Sequence, residues 1–201
     1  MFDWITALLD SSGYFGVAAL MFLENVFPPI PSEVVMPMAG FLVQQGHLNA
    51  FGVVLAGSLG SLAGAYAWYW AAIRIGDRRL RRFIRRYGRW LTLSESDLDK
   101  TISWFARYQN RAVFFGRMVP AVRTLVSVPA GFARMNRGAF LLFTLAGSVI
   151  WVALLSGAGY LLGQQYERVA DWLNPLSNLV IGAIIAIYLY RVATGKAKSS
   201  P

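Results

Sequence analysis

The sequence contains a stretch of 40 residues, 34–73, without a single aspartate, glutamate, lysine or arginine. Two shorter stretches of the same kind cover residues 138–166 and 172–190. A helix needs about 20 apolar residues to cross a bilayer, so the first stretch exceeds one span, the second fills one and the third barely reaches that length. Charged residues make up only 14% of the 201 residues, against about 25% in soluble domains. These features predict an integral membrane protein, folded as a single membrane domain over residues 1–201.

The basic residues are concentrated beside the first uncharged stretch. Eight of the nineteen lysines and arginines lie within residues 74–89. A basic cluster next to a span is typical of a cytoplasmic loop, and this position accounts for the net charge of +9 without a nucleic-acid partner. The C-terminal tail is also basic and is expected in the cytoplasm, whereas the N-terminus lacks the basic segment of a signal peptide and is expected outside.

Hydropathy and helical periodicity divide the chain into spans and surface segments. Residues 49–73, 138–163 and 175–191 are predicted transmembrane helices. Residues 74–108 carry large apolar side chains at helical spacing, with arginines on the opposite face. This pattern predicts amphipathic helices on the membrane surface, where arginines meet anionic headgroups. A solvated basic loop would explain the charges but not the apolar stripe.

Two segments, 11–45 and 109–134, are apolar but cannot form simple spans because prolines interrupt them. Proline removes a backbone donor and breaks the helix, and lipid cannot replace the lost partner. Each uninterrupted half has about 13 residues or fewer, which is too short to cross a bilayer. We therefore predict two re-entrant helical hairpins, each of which returns to the side on which it begins. The prolines expected to break the helices are Pro28, Pro29, Pro31 and Pro120.

Short sequence matches suggest that the chain contains an internal repeat. Residues 39–41 (Ala-Gly-Phe) recur at 130–132, and the same offset of 91 carries Pro29 onto Pro120. Residues 55–58 (Leu-Ala-Gly-Ser) recur at 145–148. The predicted fold is thus an all-α membrane protein built from two copies of a hairpin followed by a span, with a final transmembrane helix. With the basic loop inside, the copies have opposite orientations, an arrangement found in transporters whose site lies at the repeat interface.

Four ionisable residues lie in the middle of the predicted hairpins, where a bilayer makes a charge costly, namely Glu24, Glu33, Arg117 and Arg123. Charged residues at this depth usually face a polar cavity or pair with one another, and they mark ion or substrate paths. Because prolines break the helix between the members of each pair, the two glutamates could converge at one hairpin tip and the two arginines at the other. A structural alternative is a set of salt bridges that only holds the hairpins together, although buried ion pairs are weak stabilisers.

Two arginines beside a helix break form a site suited to a phosphate, because each guanidinium can bind two oxygens at once. The hypothesis from these residues is that Arg117 and Arg123 bind the phosphate headgroup of a lipid. Glu24 or Glu33 would then couple each step to a proton. Burial favours the neutral acid and a neighbouring arginine favours the carboxylate, so the sequence leaves the protonation state open.

Two motifs in the hairpins resemble the signatures of the DedA family of bacterial inner-membrane proteins, within the VTT-domain superfamily. The motifs are Glu24-x-x-x-Pro28-x-x-Pro31-x-Glu33 and Phe115-x-Arg117-Met118-x-Pro120-x-x-Arg123-Thr124-x-x-x-x-x-Ala130-Gly131. The resemblance covers nearly the whole chain. It implies two facing re-entrant hairpins, kinship with eukaryotic lipid scramblases, and a role in returning undecaprenyl phosphate across the membrane. It also implies that the family's essential acidic and arginine positions are Glu24, Glu33, Arg117 and Arg123, with a glutamate at position 33 where relatives often have aspartate.

Other functions are weighed against this polyprenyl-phosphate flippase. A general phospholipid scramblase or a proton-coupled exporter would use the same architecture, and a homo-oligomer is compatible with it. A polyprenyl-diphosphate phosphatase is less favoured, because His47 is the only histidine and has no catalytic setting in the sequence. A purely structural role predicts that all four charged residues can be replaced with loss of stability alone. The chain has no cysteine and no histidine cluster, so no metal site, no other cofactor and no enzyme activity are expected.

Overall fold

The computed structural model describes residues 3–26, 32–91 and 95–163, and all regular structure in these ranges is helical. The helices are α1 (Asp3–Val26), α2 (Ser32–Gln44), α3 (Ala50–Leu91), α4 (Glu95–Gly116), α5 (Pro120–Arg123), α6 (Ser127–Phe132) and α7 (Arg137–Leu162). The all-α prediction is therefore confirmed for the described part of the chain. The predicted span 175–191 lies outside the described residues, as do the three prolines expected at the first hairpin tip: Pro28, Pro29 and Pro31.

The first predicted hairpin is formed by α1 and α2. Helix α1 begins earlier than the predicted segment and kinks at Gly13, whose φ of 52° and ψ of −129° suit a residue without a side chain. The part after the kink, residues 14–26, has the same length as α2, which has 13 residues. At 1.5 Å per residue each is about 20 Å long, shorter than the ~30 Å hydrocarbon core. That the pair re-enters the membrane remains a prediction.

Two helices of the described residues are long and apolar enough to cross a membrane. They are Ala50–Gly76, with a mean hydropathy of 1.5, and Arg137–Leu162, with a mean hydropathy of 2.2. Only 39% and 28% of these apolar windows are buried within the protein. The core helix of a soluble protein would bury its apolar face, whereas these helices leave leucines such as Leu161 exposed. They overlap the predicted spans 49–73 and 138–163, and their exposed faces suit contact with lipid.

The basic segment that follows the first of these helices is helical over residues 77–91 and 95–108 and is delimited by two backbone kinks. Helix α3 continues through Gly76 (φ 71°, ψ 161°), and α4 departs from helical geometry at Tyr108 (φ −119°, ψ 18°). Between these kinks the Arg81 guanidinium donates to Asp99 Oδ1 over 2.5 Å, and this hydrogen bond lowers the pKa of the Asp99 carboxyl. The predicted amphipathic segment 74–108 therefore contains helices tied together on their exposed side, and its attachment to a membrane surface remains a prediction.

Each half of the chain packs a broken helix against the long helix of the other half. Helix α2 lies on α7, and α6 lies on α3. Glycines allow both approaches. A Cβ on Gly40 would lie 1.9 Å from the carbonyl oxygen of Ser156, and one on Gly131 would lie 2.5 Å from the carbonyl oxygen of Tyr69. The repeated tripeptides 39–41 and 130–132 thus have corresponding surroundings, while the opposite orientation of the two copies in a membrane remains a prediction.

The second sequence match, 55–58 with 145–148, does not connect equivalent positions. Gly57 packs against Met36 and Val152, whereas Gly147 packs against Arg117 and the Phe114 carbonyl oxygen. The surroundings of Gly147 correspond instead to those of Gly64, which packs against the Asn25 side chain and the Phe22 carbonyl oxygen. Helix α3 therefore approaches α1 at Asn25, and α7 approaches the end of α4 at Arg117.

Close packing of α2 on α7 yields a prediction about two neighbouring glycines. A Cβ on Gly159 would lie 1.9 Å from the Pro37 carbonyl oxygen, whereas one on Gly157 would meet nothing within 4 Å. We expect Gly159→Ala to lower the free energy of unfolding by about 1–3 kcal/mol through overpacking. Gly157→Ala should leave it unchanged or slightly raised, because alanine favours helix over glycine.

Thermal unfolding of the two variants in detergent, followed by the loss of the monodisperse elution peak, measures this difference. Equal unfolding temperatures for the two variants would contradict the described contact between α2 and α7.

Candidate functional site

Three charged side chains are buried among the described residues. Glu24 at the end of α1 is 4% exposed, Arg117 just after α4 is 3% exposed, and Arg123 at the end of α5 is 4% exposed. All three lie next to helix breaks, since α1 ends at Val26, α4 ends at Gly116 and α5 begins at Pro120. Proline is favourable in the first turn of a helix, so the chain can restart there after the break.

The Glu24 carboxylate and the Arg123 guanidinium form an ion pair through Oε1 and Nη2. This contact connects the end of α1 with α5 and so joins the two predicted hairpins. The second carboxylate oxygen, Oε2, is buried and has no hydrogen-bond partner among the described residues. The Arg123 guanidinium carbon also lies 5.9 Å from the ring centroid of Trp151, within reach of a cation–π contact.

Arg117 is held by uncharged groups. Its Nη1 donates to Asn25 Oδ1 over 3.0 Å, and its Nη2 donates to Ser127 Oγ over 3.1 Å. Its Nε is buried and has no hydrogen-bond partner in the described part of the chain. These hydrogen bonds fix the guanidinium plane, but neither partner carries a charge that would balance it. A buried cation held in this way is suited to receive an anion.

Asn25 and Ser127 are site residues that the sequence reasoning missed. Asn25 Nδ2 donates to the Met21 carbonyl oxygen over 3.0 Å, which directs its Oδ1 toward Arg117. Both side chains are almost fully buried. Each is a polar residue within an otherwise apolar segment and close to a motif position, and this is the signal that could have identified them. Asn25 directly follows Glu24, and Ser127 lies three residues before Ala130.

Two tryptophans hydrogen-bond on either side of the break between α1 and α2. Trp68 Nε1 donates to the Asn25 carbonyl oxygen over 2.8 Å, and Trp151 Nε1 donates to Ser32 Oγ over 3.4 Å. From the sequence alone, packing or interfacial roles are expected for both tryptophans. The position of Trp151 near the middle of α7 is the missed signal, because interfacial tryptophans occur near the ends of spans.

Glu33 lies in the first turn of α2, half-buried, next to the Ser32 that Trp151 contacts. Glu33 is thus a sequence neighbour of a residue that hydrogen-bonds near the helix break. The described ion pair of Arg123 is made with Glu24. His47 lies in the turn between α2 and α3 and is exposed, which accords with a loop histidine. No group of three or more histidines or acids in ranges 3–26, 32–91 and 95–163 could hold a metal ion.

Comparisons with known proteins place the chain among bacterial membrane proteins. The VTT domain model matches residues 30–161. The chain is 33% identical over 186 residues to undecaprenyl phosphate transporter A of Staphylococcus aureus, with 92% of each protein covered. It is 32% identical over 189 residues to the Bacillus subtilis protein of the same name, covering 94% of this chain and 91% of that one.

Another relative, similar to this chain to a comparable degree, carries a different name. An alkaline phosphatase-like protein of Lactococcus lactis subsp. cremoris is 36% identical over 190 residues, which covers 94% of this chain and 89% of that protein. No solved structure matches the chain significantly.

The Glu24–Arg123 pair gives a stability prediction. Glu24→Gln alone leaves a buried guanidinium without its counter-charge, and we expect a loss of about 3–5 kcal/mol in the free energy of unfolding. Arg123→Gln alone should cost a similar amount for the same reason. The double variant should recover much of the loss, because it removes both charges together.

Denaturant unfolding of the four proteins in detergent measures the coupling. The exposed Arg81–Asp99 pair provides the matched control, in which the corresponding cycle should show a much smaller coupling because water screens both groups. Additive losses at Glu24 and Arg123 would mean that the pair does not exist in the folded protein.

Proposed function

The chain belongs to the VTT-domain family, the DedA family, and on this premise we propose that it transports a polyprenyl phosphate, undecaprenyl phosphate in particular, across a bacterial membrane. The names of two relatives that are similar over most of their length support this substrate. The observation that carries the proposal is the buried Arg117 guanidinium, whose hydrogen-bond partners among the described residues, Asn25 and Ser127, are uncharged. A lipid phosphate supplies the missing negative charge.

In the proposed binding step, Arg117 and Arg123 hold the phosphate together. Arg117 is already oriented by Asn25 and Ser127, so little side-chain entropy is lost when it binds. Arg123 is occupied by Glu24 in the described state. The phosphate therefore takes the place of the Glu24 carboxylate, and the carboxylate returns when the lipid leaves. This exchange keeps the guanidinium neutralised at every stage, which a low-dielectric site requires.

We assign proton coupling to Glu24 and Glu33. Once the phosphate has displaced Glu24, its carboxylate is buried without a counter-charge, and uptake of a proton removes that cost. Glu33 is half-buried at the start of α2. In this proposal it would exchange protons between the site and the solvent. The proton gradient would then drive transport. No cofactor is part of this scheme.

Two other functions share parts of this chemistry. A general phospholipid scramblase would also pass headgroups between broken helices. It would not need two buried arginines, which suit a lipid that carries a phosphomonoester. A proton-coupled exporter of another anion would use the same arginines and differ only in cargo. A phosphatase is suggested by the names of the Lactococcus relatives. The buried Glu24 carboxylate is engaged by Arg123 and so is poorly suited to act as its base or nucleophile.

The test of the transporter is translocation of undecaprenyl phosphate by the purified chain in proteoliposomes. Arg117→Lys and Arg123→Lys keep the charge but lose the planar fork that binds two oxygens, so we expect each to slow translocation by about tenfold or more. Arg137→Lys, at the exposed start of α7, is the matched control and should transport at the wild-type rate.

Parallel vesicles distinguish the alternatives. Phosphatidylcholine translocation equal to that of the phosphate lipid would favour a scramblase, and saturable phosphate release from polyprenyl diphosphate would favour a phosphatase. Wild-type rates in folded Arg117→Lys and Arg123→Lys proteins would refute the assignment of the site.

Proton coupling has a separate test in the same vesicles. A proton gradient should accelerate wild-type translocation, whereas Glu33→Gln should transport at one rate with and without the gradient, because it cannot exchange a proton. Binding of the lipid phosphate to this variant should be retained. If Glu33→Gln responds to the gradient as the wild type does, Glu33 has no part in coupling.

A further inference from the structure

A groove of about 510 Å³ lies between α4 and the segment that contains α5 and α6. Its walls are almost entirely apolar, and its volume falls in the range of small-molecule binding sites. The principal side chains are Trp104, Tyr108, Phe115, Val119, Val122 and Leu125, all of which are well exposed. Thr101 and Arg111 are the polar residues on its wall.

The groove shares its wall with the charged site. Gly116, Val122 and Val126 line it, and each of them is directly followed in sequence by a site residue. Those residues are Arg117, Arg123 and Ser127. The broken segment after α4 therefore presents apolar side chains to the groove on one side and buried polar groups on the other. A molecule in the groove would therefore contact residues directly adjacent in sequence to those of the proposed phosphate site.

Arg111 gives the groove a positive charge. Its side chain is exposed and forms no ion pair with the described side chains. It lies six residues before Arg117, which corresponds to about 9 Å along a helix. A cation among apolar side chains in a membrane is costly unless an anionic group covers it. The charge and the apolar wall together match a lipid with a negatively charged head.

We propose that this groove holds the part of the hydrocarbon chain that adjoins the phosphate of the transported lipid, and that Arg111 receives this phosphate before transfer to Arg117. This inference rests on the proposed function and adds to it the path by which the substrate reaches the buried site. The aromatic side chains at 104, 108 and 115 form one wall of the groove. The exposed aliphatic side chains of the segment after α4 form the other wall. A lipid with a long chain and a single phosphate satisfies both features at once.

The first experiment fills the groove. Leu125→Trp places a bulky ring on the groove wall, whereas Leu142→Trp makes the same change on α7, outside the groove, and the two leucines are 64% and 63% exposed. With undecaprenyl phosphate in proteoliposomes, we expect Leu125→Trp to raise the half-saturating concentration by about tenfold and Leu142→Trp to have no effect.

The second experiment separates the groove from transport itself. A polyprenyl phosphate that carries a photoactivatable diazirine on its chain should label residues 101–126 of the purified wild-type chain, and excess unlabelled polyprenyl phosphate should prevent this labelling. Arg111→Gln should weaken the labelling, and Arg111→Lys should restore it. Labelling spread evenly over α7 and the groove, or equal transport by the two tryptophan variants, would overturn the groove assignment even if wild-type transport is observed. Absence of wild-type transport together with groove labelling would overturn the proposed function and leave the binding site standing.

Discussion

The contact between the Glu24 carboxylate and the Arg123 guanidinium is the interaction on which the arrangement of the broken helices depends. A bilayer cannot solvate either charge, so each must find a counter-charge or a polar cavity within the protein. The pair satisfies this requirement only if the end of α1 meets the end of α5. It therefore brings together two parts of the chain that are about a hundred residues apart.

Helix breaks and small residues make that meeting possible. The polar groups lie at helix ends, where backbone N–H and C=O groups have no hydrogen-bond partner within the helix. The indole groups of Trp68 and Trp151 form hydrogen bonds on both sides of the first break. Glycines on the long helices allow close approach at the same level, with Gly64 against Asn25 and Gly147 against Arg117. The outcome is a buried polar centre beside two long helices that expose apolar faces, and such a centre is suited to a headgroup that must cross a membrane.

Much of this arrangement could be predicted from the sequence, because breaks and buried charges leave local signals. Prolines and short apolar segments predict the interrupted helices, and charges within apolar stretches identify Glu24, Arg117 and Arg123. The pairing could not be derived, since spacing along a helix fixes direction around its axis and not the partner in another segment. The neutral partners Asn25 and Ser127 were missed for the same reason, and the match of 55–58 with 145–148 shows that common small residues can align without structural equivalence.

The central claim is that a lipid phosphate replaces the Glu24 carboxylate at Arg123. The most direct measurement is the rise in unfolding temperature that polyprenyl phosphate produces in purified Glu24→Gln protein compared with the wild type. With its internal competitor removed and its guanidinium unbalanced, the variant should bind the lipid more tightly and gain more stability from it. A smaller rise in the variant than in the wild type, with both proteins folded, would contradict the exchange.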